Sequence, residues 1–143
     1  MRRLVKVVAG WFRRRFPAKP LGRRGEDAAA NFLRHRGLAI IAQSNRDRLG
    51  EIDLVGVDGR TVVFIEVKTR TSAEAGHPVD AVDATKQRRL TRLAVAFLKQ
   101  HGLLEYAARF DVVAVTWPDG SRTPTIEHYA NAFEAAGQGE FFS

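Results

Sequence analysis

The 143-residue chain has no cysteine, which excludes disulfides and thiolate-ligated zinc. That absence fits a cytoplasmic protein, the expected location, although many exported proteins lack cysteine too. No apolar run approaches the roughly 18–20 residues that cross a bilayer, so no transmembrane segment is expected. The opening stretch does not read as a secretory signal, because Lys6 interrupts its apolar run and Arg13 closes it. Acids are missing from residues 1–25, which carry nine Lys/Arg. Taking those nine from the total of 23 leaves 14 against 16 acids in residues 26–143. The net charge of +7 therefore belongs to the N-terminal arm, and the body is mixed in charge. A high overall charge is then poor evidence that the body itself binds nucleic acid. His35, His77, His101 and His128 show no zinc spacing, and the GxGxxG and GxxxxGK phosphate loops are absent.

The length suits one domain with a proper core. Residues 1–20 form a basic arm, either a short amphipathic helix that docks on nucleic acid, a membrane surface or a protein, or a solvated tail. One domain is expected over 21–133, and the tail 134–143 is expected to fray. Within the body, Ala28, Ala29, Phe32 and Leu33 predict a helix over 22–36. Glu26 lies near its start, where an acid is favourable with the helix dipole whatever else it does. Strands are expected at 38–45, 50–57 and 61–69, a loop at 71–78 and a long helix at 80–101. A strand over 109–117 and a further strand over 124–130 complete the order. The expected fold is α/β, with an αβββαβ core and a mixed central sheet flanked by helices.

Two of those strands carry charges that an apolar sheet does not need. They are Glu51 and Asp53 in Gly50-Glu51-Ile52-Asp53-Leu54-Val55, and Glu66 and Lys68 in Val63-Phe64-Ile65-Glu66-Val67-Lys68-Thr69-Arg70. Charges in such strands are costly unless paired or bound to a cation. Asp58-Gly59 between them is a strong hairpin signal. With those two residues as the loop, Glu51 falls opposite Glu66 and Asp53 opposite Phe64. Alternation then puts Glu51, Asp53, Glu66 and Lys68 on one face, with Asp53 and Glu66 diagonal neighbours roughly 7–8 Å apart. Ile52, Leu54, Val63, Ile65 and Val67 would form the opposite, apolar face.

Two like charges about 4 Å apart repel by roughly 4 kcal/mol at an effective dielectric near 20. A divalent cation and Lys68 would offset that, and all-oxygen ligation favours Mg²⁺ or Mn²⁺ over zinc. A hard cation beside a lysine suits phosphodiester hydrolysis. Lys86, Arg88, Arg89 and Arg92 cluster near the start of the second long helix, either as a solvated face or as a patch that holds a DNA phosphate backbone.

Asp53 followed by Glu66-Val67-Lys68 on the next strand resembles the core signature of the PD-(D/E)xK nucleases. The wider text, with Gly25-Glu26-Asp27-x-Ala29, Arg109-Phe110-Asp111-Val112-Val113 and Asn131-Ala132-Phe133, resembles the YraN-like family of bacterial proteins from about residue 21 to 133. The resemblance implies a restriction-endonuclease-like fold near the archaeal Holliday-junction resolvases. It implies Asp53, Glu66 and the Val67 carbonyl as metal ligands, Lys68 as the catalytic lysine, and Glu26 approaching from the first helix. Gln87 stands where related nucleases often carry an auxiliary Gln or Lys. Ile52 stands where the superfamily name has proline, and Glu51 has no standard role. Related resolvases are dimers, but no dimer interface is legible here.

The expected function is thus a metal-dependent nuclease hydrolysing phosphodiester bonds of DNA, with branched or structured DNA as a candidate substrate. The alternatives are a catalytically inactive nucleic-acid-binding module with the same fold, or an adaptor recruited through its basic arm. Neither alternative needs the acid–lysine set.

Overall fold

The computed structural model describes residues 20–72, 76–119 and 121–136. The expected arm up to residue 19 and the end of the expected tail, 137–143, lie outside the described residues. Helix α1 spans Pro20–His35, followed by strands β1 (Ala39–Asp47), β2 (Gly50–Asp58) and β3 (Thr61–Arg70). A 3-10 turn at Pro78–Ala81 leads into helix α2 (Ala84–Gln100), then β4 (Ala107–Thr116) and β5 (Thr125–Phe133). The αβββαβ order is that expected of a restriction-endonuclease-like core, with one strand added.

All five strands form one sheet in chain order, so β1 and β5 are its edges. Neighbours are antiparallel except β3 and β4, which are parallel. A parallel pair needs a long crossover, and α2 supplies it. One face is covered by α1, where Ala29, Ala30 and Leu33 pack with Leu54, Val63, Ile65, Val113 and Val115. The other is covered by α2, where Leu90, Leu93, Phe97 and Leu98 pack with Val55, Val57, Val62, Phe64 and Phe110. Covering both faces explains why the central strands read as nearly continuous apolar runs.

The second long helix starts at Ala84, later than the expected residue 80. Asp83 caps it, its side chain accepting the Lys86 N–H at 2.8 Å, and residues 78–81 form the separate turn. Gln87 ties the two pieces together by donating its side-chain amide to the Val82 carbonyl at 2.9 Å. The last strand runs further than the expected 124–130, since β5 reaches Phe133, and beyond it the Ala136 N–H donates to the Thr91 hydroxyl at 3.0 Å.

The hairpin register differs from the one expected. Asp58 pairs with Thr61, and Leu54 with Ile65, so the loop is Gly59-Arg60 rather than Asp58-Gly59. Gly59 holds φ 63° at the first loop position, the two-residue turn that requires glycine there. Asp58 is freed from the loop and instead accepts from Arg109 of β4 at 2.9 Å. That arginine also meets Asp111, which has no exposed surface and is further held by His128 at 2.7 Å and by the Asn131 N–H at 2.8 Å. The network sits where the β4–β5 register shifts and Asn131 adopts φ 52°, so it fixes β5 at an irregular point.

Candidate metal and acid–lysine site

The regular pairing of β2 ends one residue before the acids begin. Its ladder with β3 stops at Leu54–Ile65, and its ladder with β1 skips from Gln43–Leu54 to Asn45–Ile52. Ser44 and Asp53 therefore face each other in register without joining the ladder. Ser44 is in the left-handed region, φ 53°, a conformation that disfavours a residue with a β-carbon. The irregularity has a direct effect on neighbouring side chains. Leu54 packs with the α1 layer, whereas Ile52 packs with the α2 layer.

The expectation that all four charges share one face is thereby corrected, because Ile52 takes the side that strict alternation reserves for Glu51 and Asp53. Those two acids instead meet Glu26 of α1. Carboxylate oxygens of Glu26, Glu51 and Asp53 lie within 4.8 Å of one another. Glu66 is met from the α2 side, where Lys86 Nζ lies 2.8 Å and Lys68 Nζ 3.7 Å from the same oxygen, Oε1.

Each acid is positioned by a separate device. Gly25 lets α1 come down on β3, since a β-carbon there would collide with Thr69. Glu26 is then buried and accepts the Ser44 hydroxyl at 2.5 Å, while its neighbour Asp27 accepts the Gln43 amide at 2.5 Å. Asp53 accepts the Val67 N–H at 2.8 Å, which joins the acid of one strand to the Glu-x-Lys of the next. Glu51 is paired with Arg46 at 3.0 Å.

The electrostatics follow from this packing. Burial pushes the Asp53 carboxyl well above the usual carboxylate range, the charges of Glu66, Glu26 and Glu51 push the same way, and the Val67 hydrogen bond opposes them. Burial likewise raises Glu26, against the Ser44 hydrogen bond. Lys68 is held below the ordinary lysine value by burial and by its contact with Lys86, with Glu66 opposing. Burial pushes Lys86 down too, but its bond to Glu66 and its contact with Lys68 outweigh this and hold it above that value.

Among the described residues, no lysine or arginine lies within ion-pair distance of Glu26 or Asp53. As a donor set, three converging carboxylates with Glu66 beside them suit a hard divalent cation, which prefers oxygen ligands.

The remaining sequence candidates fall around this centre. Gln87 turns toward Val82 rather than toward the acids. Lys86, expected as a phosphate contact, reaches into the acid cluster. Arg88, Arg89 and Arg92 are exposed on α2, and Arg88 also donates to Thr85 at 3.2 Å. Ser44 was missed by sequence reasoning. Within the polar run Gln43-Ser44-Asn45, nothing in the local text distinguishes it. Lys86 carried a signal, because a cation in a helix's first turn opposes the dipole unless it has a partner.

A family model described as "Uncharacterised protein family UPF0102" matches residues 25–115, a stretch that contains every acid and lysine of the cluster. A UPF0102 protein of Rhodopirellula baltica is 52% identical over 125 residues, covering 85% of this chain and 75% of that protein. One from Anaeromyxobacter dehalogenans is 47% identical over 118 residues, covering 82% and 87%. One from Geobacter sulfurreducens is 49% identical over 120 residues, covering 82% and 91%.

Proposed function

Because this chain belongs to the uncharacterised protein family UPF0102, the YraN-like family of the sequence resemblance, we propose its function from the site it carries: a metal-dependent nuclease that hydrolyses phosphodiester bonds of DNA. The observation that carries this reading is Asp53, bonded to the Val67 N–H, flanked by Glu26 and Glu51 and repelled by Glu66, with Lys68 alongside. Asp53 and Glu66 would hold Mg²⁺ or Mn²⁺, with the Val67 carbonyl, Glu26 and Glu51 completing or supporting the shell. When bound, the cation supplies Lewis acidity toward a phosphoryl oxygen and makes a neighbouring water more acidic.

The chain's own residues do the rest. Lys68 orients the attacking water and stabilises the charge that develops on the phosphoryl oxygens. A bond forms between the water oxygen and phosphorus as the water releases a proton to solvent, the bond to the leaving oxygen breaks, and that oxygen takes up a proton. Ser44 and Arg46 hold Glu26 and Glu51 in place. Arg88, Arg89 and Arg92 supply contacts to the phosphate backbone that carry little sequence information.

The test is cleavage of plasmid and of branched DNA with Mg²⁺ or Mn²⁺, comparing wild type with Glu66→Ala and Lys68→Ala. Cleavage by wild type alone is the expected result. If wild type cleaves nothing yet binds DNA as tightly as Glu66→Ala does, the chain is a binding module with a nuclease fold.

A further inference from the structure

The position of Lys86 bears on how many metal ions the site takes. Lys86 and Lys68 both approach Oε1 of Glu66, and Lys86 is the closer, at 2.8 Å against 3.7 Å. Its backbone is fixed by the Asp83 cap and by the Gln87 amide bond to Val82, so the first turn of α2 is anchored directly above the cluster. Glu66 itself is nearly buried, its side chain only 10% exposed, which leaves little solvent to screen the pair.

We propose that Lys86 takes the place of a second metal ion, so that the site accepts one divalent cation together with one phosphodiester anion. This rests on the hydrolase reading above and specifies its metal count and its substrate charge. With every group ionised, four carboxylates (Glu26, Glu51, Asp53, Glu66) face three cations (Lys68, Lys86, Arg46), leaving a net charge of −1. One divalent ion brings that to +1, which one phosphodiester neutralises. A second ion would bring it to +3 and would compete with two ammoniums for Glu66. Without Lys86, one ion makes the site neutral and Oε1 loses its closest cation, so a second ion is admitted.

The test is a count of bound Mn²⁺ per chain, by calorimetry and by electron paramagnetic resonance, on the full chain without DNA. Wild type and Lys86→Arg are expected to bind one Mn²⁺, and Lys86→Gln two. Circular dichroism and thermal melting establish that both variants are folded, and Lys86→Arg keeps the charge where Lys86→Gln removes it. Two ions in wild type would overturn the proposal while leaving the hydrolase reading intact. One ion in wild type and in Lys86→Gln alike would reduce Lys86 to a tie between α2 and β3. No binding by wild type would overturn the hydrolase reading and this proposal with it.

Discussion

Gly25 and Thr69 are packed so closely that a β-carbon on the glycine would overlap the threonine hydroxyl oxygen. Rotating the threonine does not clear the space, since its Cβ stays in place at 3.0 Å from the added carbon. The contact presses the backbone of α1 onto β3 and delivers Glu26, the next residue, to the acid cluster. Gly25→Ala should therefore destabilise the protein by about 1–3 kcal/mol, despite the roughly 1 kcal/mol that alanine gains over glycine in a helix. Urea midpoints would show it. In a Thr69→Ala background the penalty should shrink; equal penalties in both backgrounds would mean that the two residues are not coupled.

Asp53 is half-buried among like charges, and the Val67 N–H is the group that bonds its carboxylate directly. Asparagine keeps an acceptor for that N–H and removes the repulsion. Asp53→Asn should raise stability at neutral pH by about 1 kcal/mol while abolishing Mn²⁺ binding. A variant that is less stable and still binds Mn²⁺ would place the functional carboxylate elsewhere.

The Asp111 network should govern the acid limb of the stability curve. Burial pushes this carboxyl up, but bonds from His128, Arg109 and the Asn131 N–H outweigh it and hold it below the usual range. A depressed carboxyl stabilises the fold above its unfolded value of about 3.9 and loses that contribution as pH falls through its folded value. Asp111→Asn should thus lower stability by about 3 kcal/mol at pH 7, with the gap to wild type narrowing below about pH 4. Urea titrations at pH 7 and at pH 3 measure both points, and a constant gap would remove Asp111 as the cause.

Lys68 makes the more distant of the two ion pairs to Glu66, so its removal should affect chemistry more than architecture. Lys68→Met is expected to slow DNA cleavage by at least about 100-fold, with a melting temperature close to wild type. Unaltered cleavage would assign the lysine's role to another group.

For the exposed Arg88, Arg89 and Arg92, the expected signature is salt dependence. Replacing all three with alanine should weaken DNA binding uniformly across sequences. It should also flatten the plot of log affinity against log salt by about 0.9 for each phosphate that the variant no longer neutralises. A slope equal to that of wild type would locate the DNA surface on another face.

The parts of the fold that were legible in the sequence are those set by local pattern. The apolar stripes of α1 and α2 and the Val/Ile runs of β2, β3 and β4 lie where their periodicity put them, because burial on both faces of the sheet leaves little choice. The gathering of Asp53, Glu66 and Lys68 at one end of a hairpin was legible too. What was not legible depends on contacts between distant segments. Asp58-Gly59 and Gly59-Arg60 both satisfy a two-residue loop, and the pull of Arg109 on Asp58 is invisible in the local text. Strict alternation through Glu51-Ile52-Asp53 fails because Ser44, on another strand, leaves regular β geometry opposite Asp53. Lys86 looked like one of four equivalent basic residues, and only the seating of α2 on the sheet distinguishes it.

The same irregularity gives the site a built-in reporter. Because the β2–β3 ladder ends at Leu54–Ile65, the Val67 amide proton is held by the Asp53 carboxylate instead of by a strand carbonyl. Its hydrogen-exchange rate and its nitrogen chemical shift thus read the state of one side chain. Whatever binds that carboxylate, proton or ion, would be visible at a single backbone resonance, without substrate and without knowing what the substrate is.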